Sequence, residues 1–248
     1  KSRDAAGNLA TSGDYTFVTA SLVDINAGLV AAYAFDEGKG TTSADYSGNG
    51  NAATLYSVSW RKAKYGQGLS FNGYSSYVSA GTAGYPGLNQ PKTIAMWVYV
   101  TTLKTYIQTI MGLANPDTNA SIHFGLKSAL AGLFNSSAQW IAYTRVPSQF
   151  KWNHIAYIYD GSTSSIYING TLLSSSTIEP PTAPITAFQL ARWVGGTSYF
   201  KGYIDDVRIY NRALSKEELN LVMQTPVSVQ ASPAASESTT ALESGLDA

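Results

Sequence analysis

Residues 45–51, DYSGNGN, offer oxygen ligands suited to a metal ion. Oxygen-bearing side chains alternate along this segment, at Asp45, Ser47, Asn49 and Asn51. Gly48 lets the backbone bend until its carbonyl groups converge. Calcium takes about six to eight oxygen ligands from carboxylates, amides, carbonyls and water. The pattern is therefore typical of a calcium site, and equally of a tight loop in which Asp45 accepts hydrogen bonds from backbone amides.

A second carboxylate is available in YIDDVRIY, residues 203–210. One aspartate carries too little charge for tight calcium binding, so we expect another acid to join it. Alternation along a strand predicts that Asp205 and Asp206 point to opposite faces of their sheet. Asp205 would then share its face with Tyr203 and Val207.

The acidic residues are poorly placed for glycoside hydrolysis. Hydrolysis by acid–base chemistry needs two carboxyl groups about 5–9.5 Å apart across the scissile bond. Between Glu37 and Asp205 the acids are Asp45, Asp117, Asp160 and Glu179. The last three lie in turn or loop sequences, so no strand in the middle of the chain presents a carboxylate.

A polysaccharide lyase is the enzymatic alternative that the residue types support. β-Elimination from a uronic acid needs a cation that neutralises the carboxylate, and a histidine or tyrosine that acts as the base. His123 in SIHFGL, Arg145 in WIAYTRV and Tyr199 in SYFKG could supply these groups.

Aromatic residues are abundant, with 17 tyrosines and 5 tryptophans. Their flat rings suit the apolar faces of sugars. Alternation in QWIAYTR predicts Trp140 on one face of its strand, and Tyr143 with Arg145 on the other. Trp193 stands beside two glycines, as a residue at a strand end or in a loop does. We predict a saccharide platform, against the alternative of packing between sheets, from Trp140, Trp193, Tyr143, His123, Arg145 and Tyr199.

Short runs rich in β-branched and aromatic residues carry most of these side chains. IAMWVYV (94–100) and HIAYIYD (154–160) are typical, and Asp-Gly and Asn-Gly turns close two of the runs. Helical periodicity is confined to RALSKEELNLVMQ (212–224), where Ser215 and Glu218 match a capping box. The chain is therefore predicted to be all-β with one short C-terminal helix.

Composition excludes several classes of function. The hydrophobic fraction is 44%, and 16 basic residues balance 16 acidic residues. A chain of zero net charge lacks the attraction that nucleic-acid binding requires. The absence of cysteine excludes disulfides and thiolate zinc sites. No apolar run of about 18 residues is present, so we predict no insertion into a membrane.

Three parts are predicted along the chain. Residues 28–223 form the main domain. Residues 1–27 hold one alternating strand, and are predicted as an N-terminal strand or the remnant of a preceding domain that resembles bacterial immunoglobulin-like domains. Residues 224–248 are rich in Ser, Ala and Thr, and are predicted as a linker or tail. We therefore expect neighbouring domains in a longer chain.

Four segments together resemble the laminin G-like branch of the concanavalin A-like lectin jelly rolls of bacterial secreted modular proteins. They are residues 28–51, 65–78, 152–173 and 202–219. The resemblance implies an antiparallel jelly-roll sandwich of two sheets. It also implies that Trp97 and Trp152 occupy strand positions typical of the core.

The same resemblance implies a structural calcium ion, because an acidic residue of the last strand joins N-terminal loop oxygens in related jelly rolls. The implied ligands are Asp45, Gly48, Asn51 and Asp205. The function predicted is a calcium-stabilised, non-catalytic carbohydrate-binding module of a secreted or cell-surface protein, with a polysaccharide or glycan as its partner. The alternatives are a polysaccharide-degrading enzyme on the same fold, either a lyase or a glycoside hydrolase, and a protein-binding adhesion domain.

Overall fold

The computed structural model describes residues 2–3, 9–10, 23–137, 139–145 and 147–227. Strands dominate these residues: β1 (Ser2–Arg3), β2 (Leu9–Ala10), β3 (Leu29–Tyr33), β4 (Thr42–Ser43), β5 (Ala53–Tyr56), β6 (Ser59–Lys62), β7 (Gln67–Asn72), β8 (Tyr77–Ala80), β9 (Lys92–Val100), β10 (Gln108–Asn115), β11 (Ala120–Lys127), β12 (Leu130–Asn135), β13 (Trp140–Arg145), β14 (Trp152–Tyr159), β15 (Ser164–Ile168), β16 (Thr171–Ser176), β17 (Ala187–Leu190) and β18 (Lys201–Tyr210). A short 3-10 helix, Pro116–Thr118, joins β10 to β11, and helix α1 (Lys216–Gln224) follows β18.

Two antiparallel sheets of eight strands form the domain. Sheet I has the order β13-β12-β11-β10-β17-β8-β5-β4. Sheet II has the order β16-β15-β14-β9-β18-β7-β6, and β3 pairs with the second half of β18. Strands β1 and β2 pair with each other. The predicted all-β class and the two-sheet jelly-roll sandwich are confirmed.

Alternate side chains from both sheets fill the space between them. Strand β9 of sheet II contributes Ile94, Met96 and Val98, and strand β11 of sheet I contributes Ile122 and Phe124. Branched and aromatic side chains fit such a pleated, packed surface. Because the side-chain period of a strand is two, the intervening residues point to the outer faces of the sandwich.

Helix α1 covers one end of the outer face of sheet II. The Ser215 hydroxyl accepts the Glu218 N–H at 3.2 Å, and the Glu218 carboxylate accepts the Ser215 N–H at 2.7 Å, which confirms the predicted capping box. Leu219 and Val222 are buried against Ala95 of β9. Within the described ranges, no helix combines the length and apolar character that crossing a membrane would require.

A β-bulge in β18 changes the facing of its two aspartates. The register with β9 shifts between Asp205 and Arg208, and Asp206 has a φ of 52°. Ile204 and Val207 both lie in the core between the sheets. Two residues, rather than one, therefore separate inward positions, and both aspartates lie on the outer side of sheet II. The prediction that they point to opposite faces was wrong.

A second bulge, at Ile141 in β13, decides which aromatic residues share a face. The register with β12 shifts here, so that Phe134 pairs with Trp140, and Ile141 and Ala142 both reach the core. Trp140 and Tyr143 consequently lie on the same outer face, with 5.4 Å between their ring centroids. Simple alternation had predicted opposite faces, which was wrong because the bulge adds one residue.

Both ends of the described domain pack near β18. Arg212 Nε donates to the Ala27 carbonyl at 2.7 Å. Val227 is buried, and its N–H donates to the Asp206 carboxylate at 2.8 Å. Packing therefore continues a few residues beyond each end of the predicted main domain.

The remaining parts of the predicted division stay predictions. Residues 1–27 are described only at β1, at β2 and from residue 23 onward, and residues 224–248 only as far as Val227. The rest of the predicted N-terminal unit and of the predicted tail lies outside the described residues.

Candidate functional site

Glycines make room for flat rings on the outer face of sheet I. Gly112 lies in β10 and Gly132 in β12. A Cβ atom at Gly112 would lie 2.5 Å from His123 Cδ2, and one at Gly132 would lie 2.6 Å from Trp140 Cζ3. These distances are shorter than van der Waals contact, so glycine at both positions lets the two rings lie against the strands.

His123 is fully buried beneath Trp193 on this face. The two ring centroids are 4.0 Å apart, with the planes inclined by 25°. The imidazole Nε2 accepts the Val194 N–H at 3.2 Å, and Nδ1 has no partner among the described residues. Burial lowers the pKa of His123 to about 3. The neutral imidazole therefore supports Trp193 and presents no surface to a substrate.

A short connection, the 192–199 loop, holds Trp193 over the sheet. The Trp193 N–H donates to the Ser198 carbonyl at 3.0 Å, and the Gly196 N–H donates to the Trp193 carbonyl at 2.9 Å. Gly195 has a φ of 72°, a conformation that glycine adopts without strain. The two glycines after Trp193 thus allow the chain to reverse and return to sheet I.

Trp140 and Tyr143 form a second aromatic group on the same face. The Trp140 ring lies 3.9 Å from that of buried Phe134, measured between centroids. Tyr143 is 55% exposed, and Trp140 is half-buried. Phe134 pairs with His123 across neighbouring strands, so this group adjoins the pair formed by His123 and the tryptophan above it.

Tyr199 belongs to a third group, centred on Arg192, which was not predicted as a site residue. The guanidinium carbon lies 4.6 Å from the Tyr77 ring centroid and 5.7 Å from that of Tyr199. Arg192 Nε donates to the Gly196 carbonyl at 2.9 Å, and Tyr77 stacks on Tyr56 at 4.3 Å. In the sequence, Tyr56 and Tyr77 each stand next to a buried aliphatic residue of their strand. This alternation indicates that both tyrosines face outward, and it is the signal by which the sequence could have revealed the group.

Arg145 lies at one end of the face. It is exposed and pairs with Leu130, whose other neighbour across the sheet is Lys127. The six predicted ligand-binding residues thus occupy four places on one face: Trp140 with Tyr143, Trp193 with His123, Tyr199 beside Arg192, and Arg145 at the end. The three residues of the lyase alternative fall in three different places.

Trp97 and Trp152 face outward from sheet II. Trp97 is buried 5.3 Å from the His154 ring, and Trp152 packs 5.6 Å from Tyr99. The inward position beside Trp97 is taken by Met96, which fills the space between the sheets. Trp97 is buried as predicted, but on the outer side of sheet II and not between the sheets. Trp152 is only half-buried, so its predicted core position was wrong.

Asp45 is fully engaged by groups of its own loop and of β3. Its Oδ1 accepts the N–H groups of Ala32 and Ser47, and its Oδ2 accepts the Asn51 N–H and the Ser47 hydroxyl, each at 2.9 Å. These four donors occupy the carboxylate oxygens that a cation would need. The contacts match the tight-loop interpretation of this segment.

Asn51 and Gly48 complete that loop. The Asn51 amide nitrogen donates to the carbonyls of Val30 and Ala83, at 2.8 Å and 2.9 Å. Its backbone carbonyl accepts the Tyr33 hydroxyl at 2.6 Å. Gly48 has a φ of 84° and faces open space. The loop is therefore held by hydrogen bonds that need no ion.

Asp205 has different neighbours. Its Oδ2 accepts the Tyr65 N–H at 2.9 Å, while its buried Oδ1 has no partner in the part of the chain that the structure describes. Asp36 reaches the same segment and accepts the Gln67 N–H at 2.6 Å. Burial raises the pKa of Asp205 to about 8, and the charges of Asp206 and Asp36 add to the rise.

The contacts divide the four predicted calcium ligands between two places. Asp45, Gly48 and Asn51 share one loop, whereas Asp205 is bonded to the 65–67 segment, which Asp36 also contacts. No cluster of three or more histidine or acidic side chains placed to hold a metal occurs among the described residues. The predicted calcium site stays a prediction, and the unpaired oxygen of Asp205 is the feature that fits a cation.

Solved structures similar to this chain are jelly-roll domains of larger proteins. Domain 4 of AbnA, a GH43 extracellular arabinanase from Geobacillus stearothermophilus in complex with arabinotriose, is 25% identical with a TM-score of 0.62, and the alignment covers 78% of this chain and 97% of that one. The binding domain of Paraclostridial Mosquitocidal Protein 1 is 17% identical with a TM-score of 0.63, covering 80% of this chain and 52% of that one. Trypanosoma rangeli sialidase is 20% identical with a TM-score of 0.56, covering 78% of this chain and 32% of that one.

The two likenesses below 25% identity concern the fold alone, and this chain spans about half of the toxin domain and a third of the sialidase. No curated protein sequence matches the chain. A family model described as the Concanavalin A-like lectin/glucanases superfamily matches residues 72–220. That match covers more than half of the chain, from the last residue of β7 into α1. The chain belongs to the concanavalin A-like lectin/glucanases superfamily.

Proposed function

We propose that this chain is a non-catalytic carbohydrate-binding module, and that saccharide binds to the outer face of sheet I. The observation that carries the proposal is the position of Trp140 and Tyr143 on the outside of the sandwich, where their rings are available to a ligand. A sugar ring presents an apolar face of C–H groups that stacks on such rings, while polar groups nearby bond its hydroxyls.

The similar arabinanase domain supports this proposal, because its structure contains arabinotriose. It is also one domain of an extracellular enzyme. By the same likeness, we propose that this chain works outside the cell or at its surface, beside neighbouring domains of a longer protein.

Two features favour binding over catalysis on this face. The strands of sheet I contain no aspartate or glutamate, so they offer no carboxylate pair for glycoside hydrolysis. His123, one of the two candidate bases of the lyase alternative, is buried under Trp193 and accepts a backbone N–H with its Nε2 atom.

Replacing Trp140 by alanine tests the proposed surface. Affinity electrophoresis in gels that contain arabinan, xylan or polygalacturonate should show binding to at least one polymer. Trp140→Ala should weaken that binding at least tenfold, or ~1.4 kcal/mol, because a stacking ring is lost. Trp152→Ala, which removes a ring of the same size from sheet II, is the matched control and should bind as the wild type does. Equal affinity of Trp140→Ala and the wild type would contradict the proposal.

We propose further that a calcium ion stabilises the domain at Asp205 and Asp36, without Asp45. The supporting observation is the buried Oδ1 atom of Asp205, which has no hydrogen-bond partner among the described residues, while the Asp36 carboxylate is bonded to the same 65–67 segment as Asp205. A bound cation would offset the repulsion between the two carboxylates, and carbonyls and water would complete its coordination.

Thermal unfolding with and without calcium tests this site. Calcium chloride should raise the Tm of the wild type, and chelator should reverse the rise, because a ligand of the folded state stabilises it. Asp205→Asn should abolish the response to calcium. Asp45→Asn should lower the Tm but keep the response, since Asp45 is engaged by backbone donors. The proposed ligands would be refuted if calcium left the Tm of the wild type unchanged. They would also be refuted if Asp45→Asn abolished the rise in Tm that calcium produces.

A further inference from the structure

Charge is unevenly distributed on the outer side of sheet I. Its strands and the 192–199 loop contain no acidic residue, whereas Lys127, Arg145 and Arg192 all lie at one end of the sheet. The acidic residues Asp45 and Asp117 lie in the connections at the opposite end. The basic end of the face therefore has a positive potential that no acidic side chain of these strands reduces.

Arg192 is held in place while part of its guanidinium stays available. The rings of Tyr77 and Tyr199 flank it, and its Nε atom donates to the Gly196 carbonyl. Neither Nη atom has a hydrogen-bond acceptor, and the side chain forms no salt bridge, within the described ranges. A half-buried guanidinium fixed by two rings has lost much of its rotamer freedom before any ligand binds, which lowers the cost of binding.

Lys127 lies on the other side of the 192–199 loop. It lines a shallow depression together with Trp193 and Tyr106. A ring that can stack on a sugar and a cation that can attract an acidic group are thus combined at one place, next to the Arg192 group.

We propose that the ligand of this face is a carboxylated polysaccharide, and that Arg192 binds a carboxylate of its sugar residues. This inference rests on the proposed function and names its substrate class. The planar fork of a guanidinium matches a carboxylate with two parallel N–H···O bonds, which a neutral sugar cannot offer. Lys127 and Arg145 add long-range attraction along the same end of the face.

The choice of carboxylate over sulfate follows from geometry. Both groups are anionic and both would be attracted by this end of the sheet. A carboxylate carries its charge on two coplanar oxygens that match the two parallel N–H bonds of the guanidinium fork. A sulfate ester is tetrahedral and spreads its charge over three oxygens, so each of its oxygens is the weaker hydrogen-bond acceptor.

The test compares an acidic polymer with its neutral methyl ester and with a sulfated polymer. The full chain is titrated by calorimetry with polygalacturonate, with fully methyl-esterified pectin and with carrageenan, which carries sulfate but no carboxylate. Polygalacturonate should bind at least about tenfold more tightly than either of the others, since each of these lacks the bidentate carboxylate partner. Affinity for polygalacturonate should fall as salt is raised, because exposed charges are screened.

Variants identify the residue responsible. Arg192→Gln should lose about tenfold in affinity for polygalacturonate and nothing for a neutral polymer, while Arg192→Lys, which keeps the charge but not the fork, should lose most of the same amount. Arg61→Gln is the matched control, because Arg61 also stacks on a tyrosine, Tyr203, but on the outer face of sheet II. Tm values of all variants verify folding.

The outcomes separate this inference from the proposed function. Equal affinity for free and esterified polymer, with Trp140→Ala still impaired, would overturn the acidic ligand and leave glycan binding standing. Carrageenan binding as tight as polygalacturonate, or an unaffected Arg192→Gln, would overturn the assignment of a carboxylate to Arg192. No binding to any polysaccharide would overturn both.

Discussion

His123 has a structural role in this domain, although the sequence predicted it as a ligand-binding residue and, in the lyase alternative, as a candidate base. It lies on the outer face of sheet I, but Trp193 covers it and the Val194 N–H occupies its Nε2 atom. Burial without a charged partner opposes protonation of the ring, which is why its pKa is lowered. The buried imidazole also supports the Trp193 ring, which stacks on it and is thereby held against the sheet.

This burial predicts a dependence of stability on pH. The pKa of His123 is about 3 in the folded chain and near 6.5 in the unfolded chain. At pH values between these two, the unfolded chain therefore binds more protons than the folded chain. Its contribution to the free energy of unfolding therefore falls as pH is lowered, by about 1.4 kcal/mol per pH unit. Urea unfolding of the wild type and of His123→Gln should show the wild type losing about 2–3 kcal/mol relative to the variant between pH about 6.5 and about 4.5. A difference that stays constant with pH would contradict this explanation.

In single strands of this domain, small irregularities decide which way the candidate site residues face. One extra residue at Ile141 brings Trp140 and Tyr143 to the same side of β13, where regular alternation would have separated them. The bulge in β18 places Asp205 and Asp206 together on the outer side of sheet II. Bulges bend a strand and redirect its side chains, so both candidate sites depend on them.

The domain closes where its two described ends meet β18 and α1. Arg208 pairs with Asp206 at 2.8 Å in a buried position and donates to the Thr225 carbonyl at 2.7 Å. Val227 donates to the same aspartate. These contacts fall after the helix, so the residues directly following α1 belong to the folded unit and keep a buried ion pair satisfied.

Truncation measures how much the residues after α1 contribute to the stability of the domain. A chain that ends at Val227 and one that ends at Gln224 share all of α1 and differ only in the three residues that engage Asp206 and Arg208. The shorter chain should be less stable by about 2–4 kcal/mol, because charge-assisted hydrogen bonds to a buried pair are lost. Thermal unfolding of the two chains checks this, and equal Tm values would show that the last residues contribute nothing.

Much of the architecture could be predicted from local pattern. Alternating apolar residues in runs such as IAMWVYV specify strands, and Ser215 with Glu218 specifies the start of α1, because these signals depend on neighbours within a few residues. The family resemblance of the whole set of motifs then leads to the jelly roll. These features need no knowledge of distant contacts.

The candidate sites depended on contacts that no local pattern contains. Facing was mispredicted at Trp140 and at Asp206, since a bulge is defined by the register of the partner strand and not by the strand's own sequence. Asp45 is a residue of the kind that binds metals, and the sequence alone suggested that role. Only the packing of β3 against its loop shows that backbone N–H groups donate to its carboxylate oxygens. Arg192 was not predicted as a site residue, because Tyr77, against which it packs, is more than a hundred residues away along the chain. Only the order of strands in sheet I brings the two side chains together.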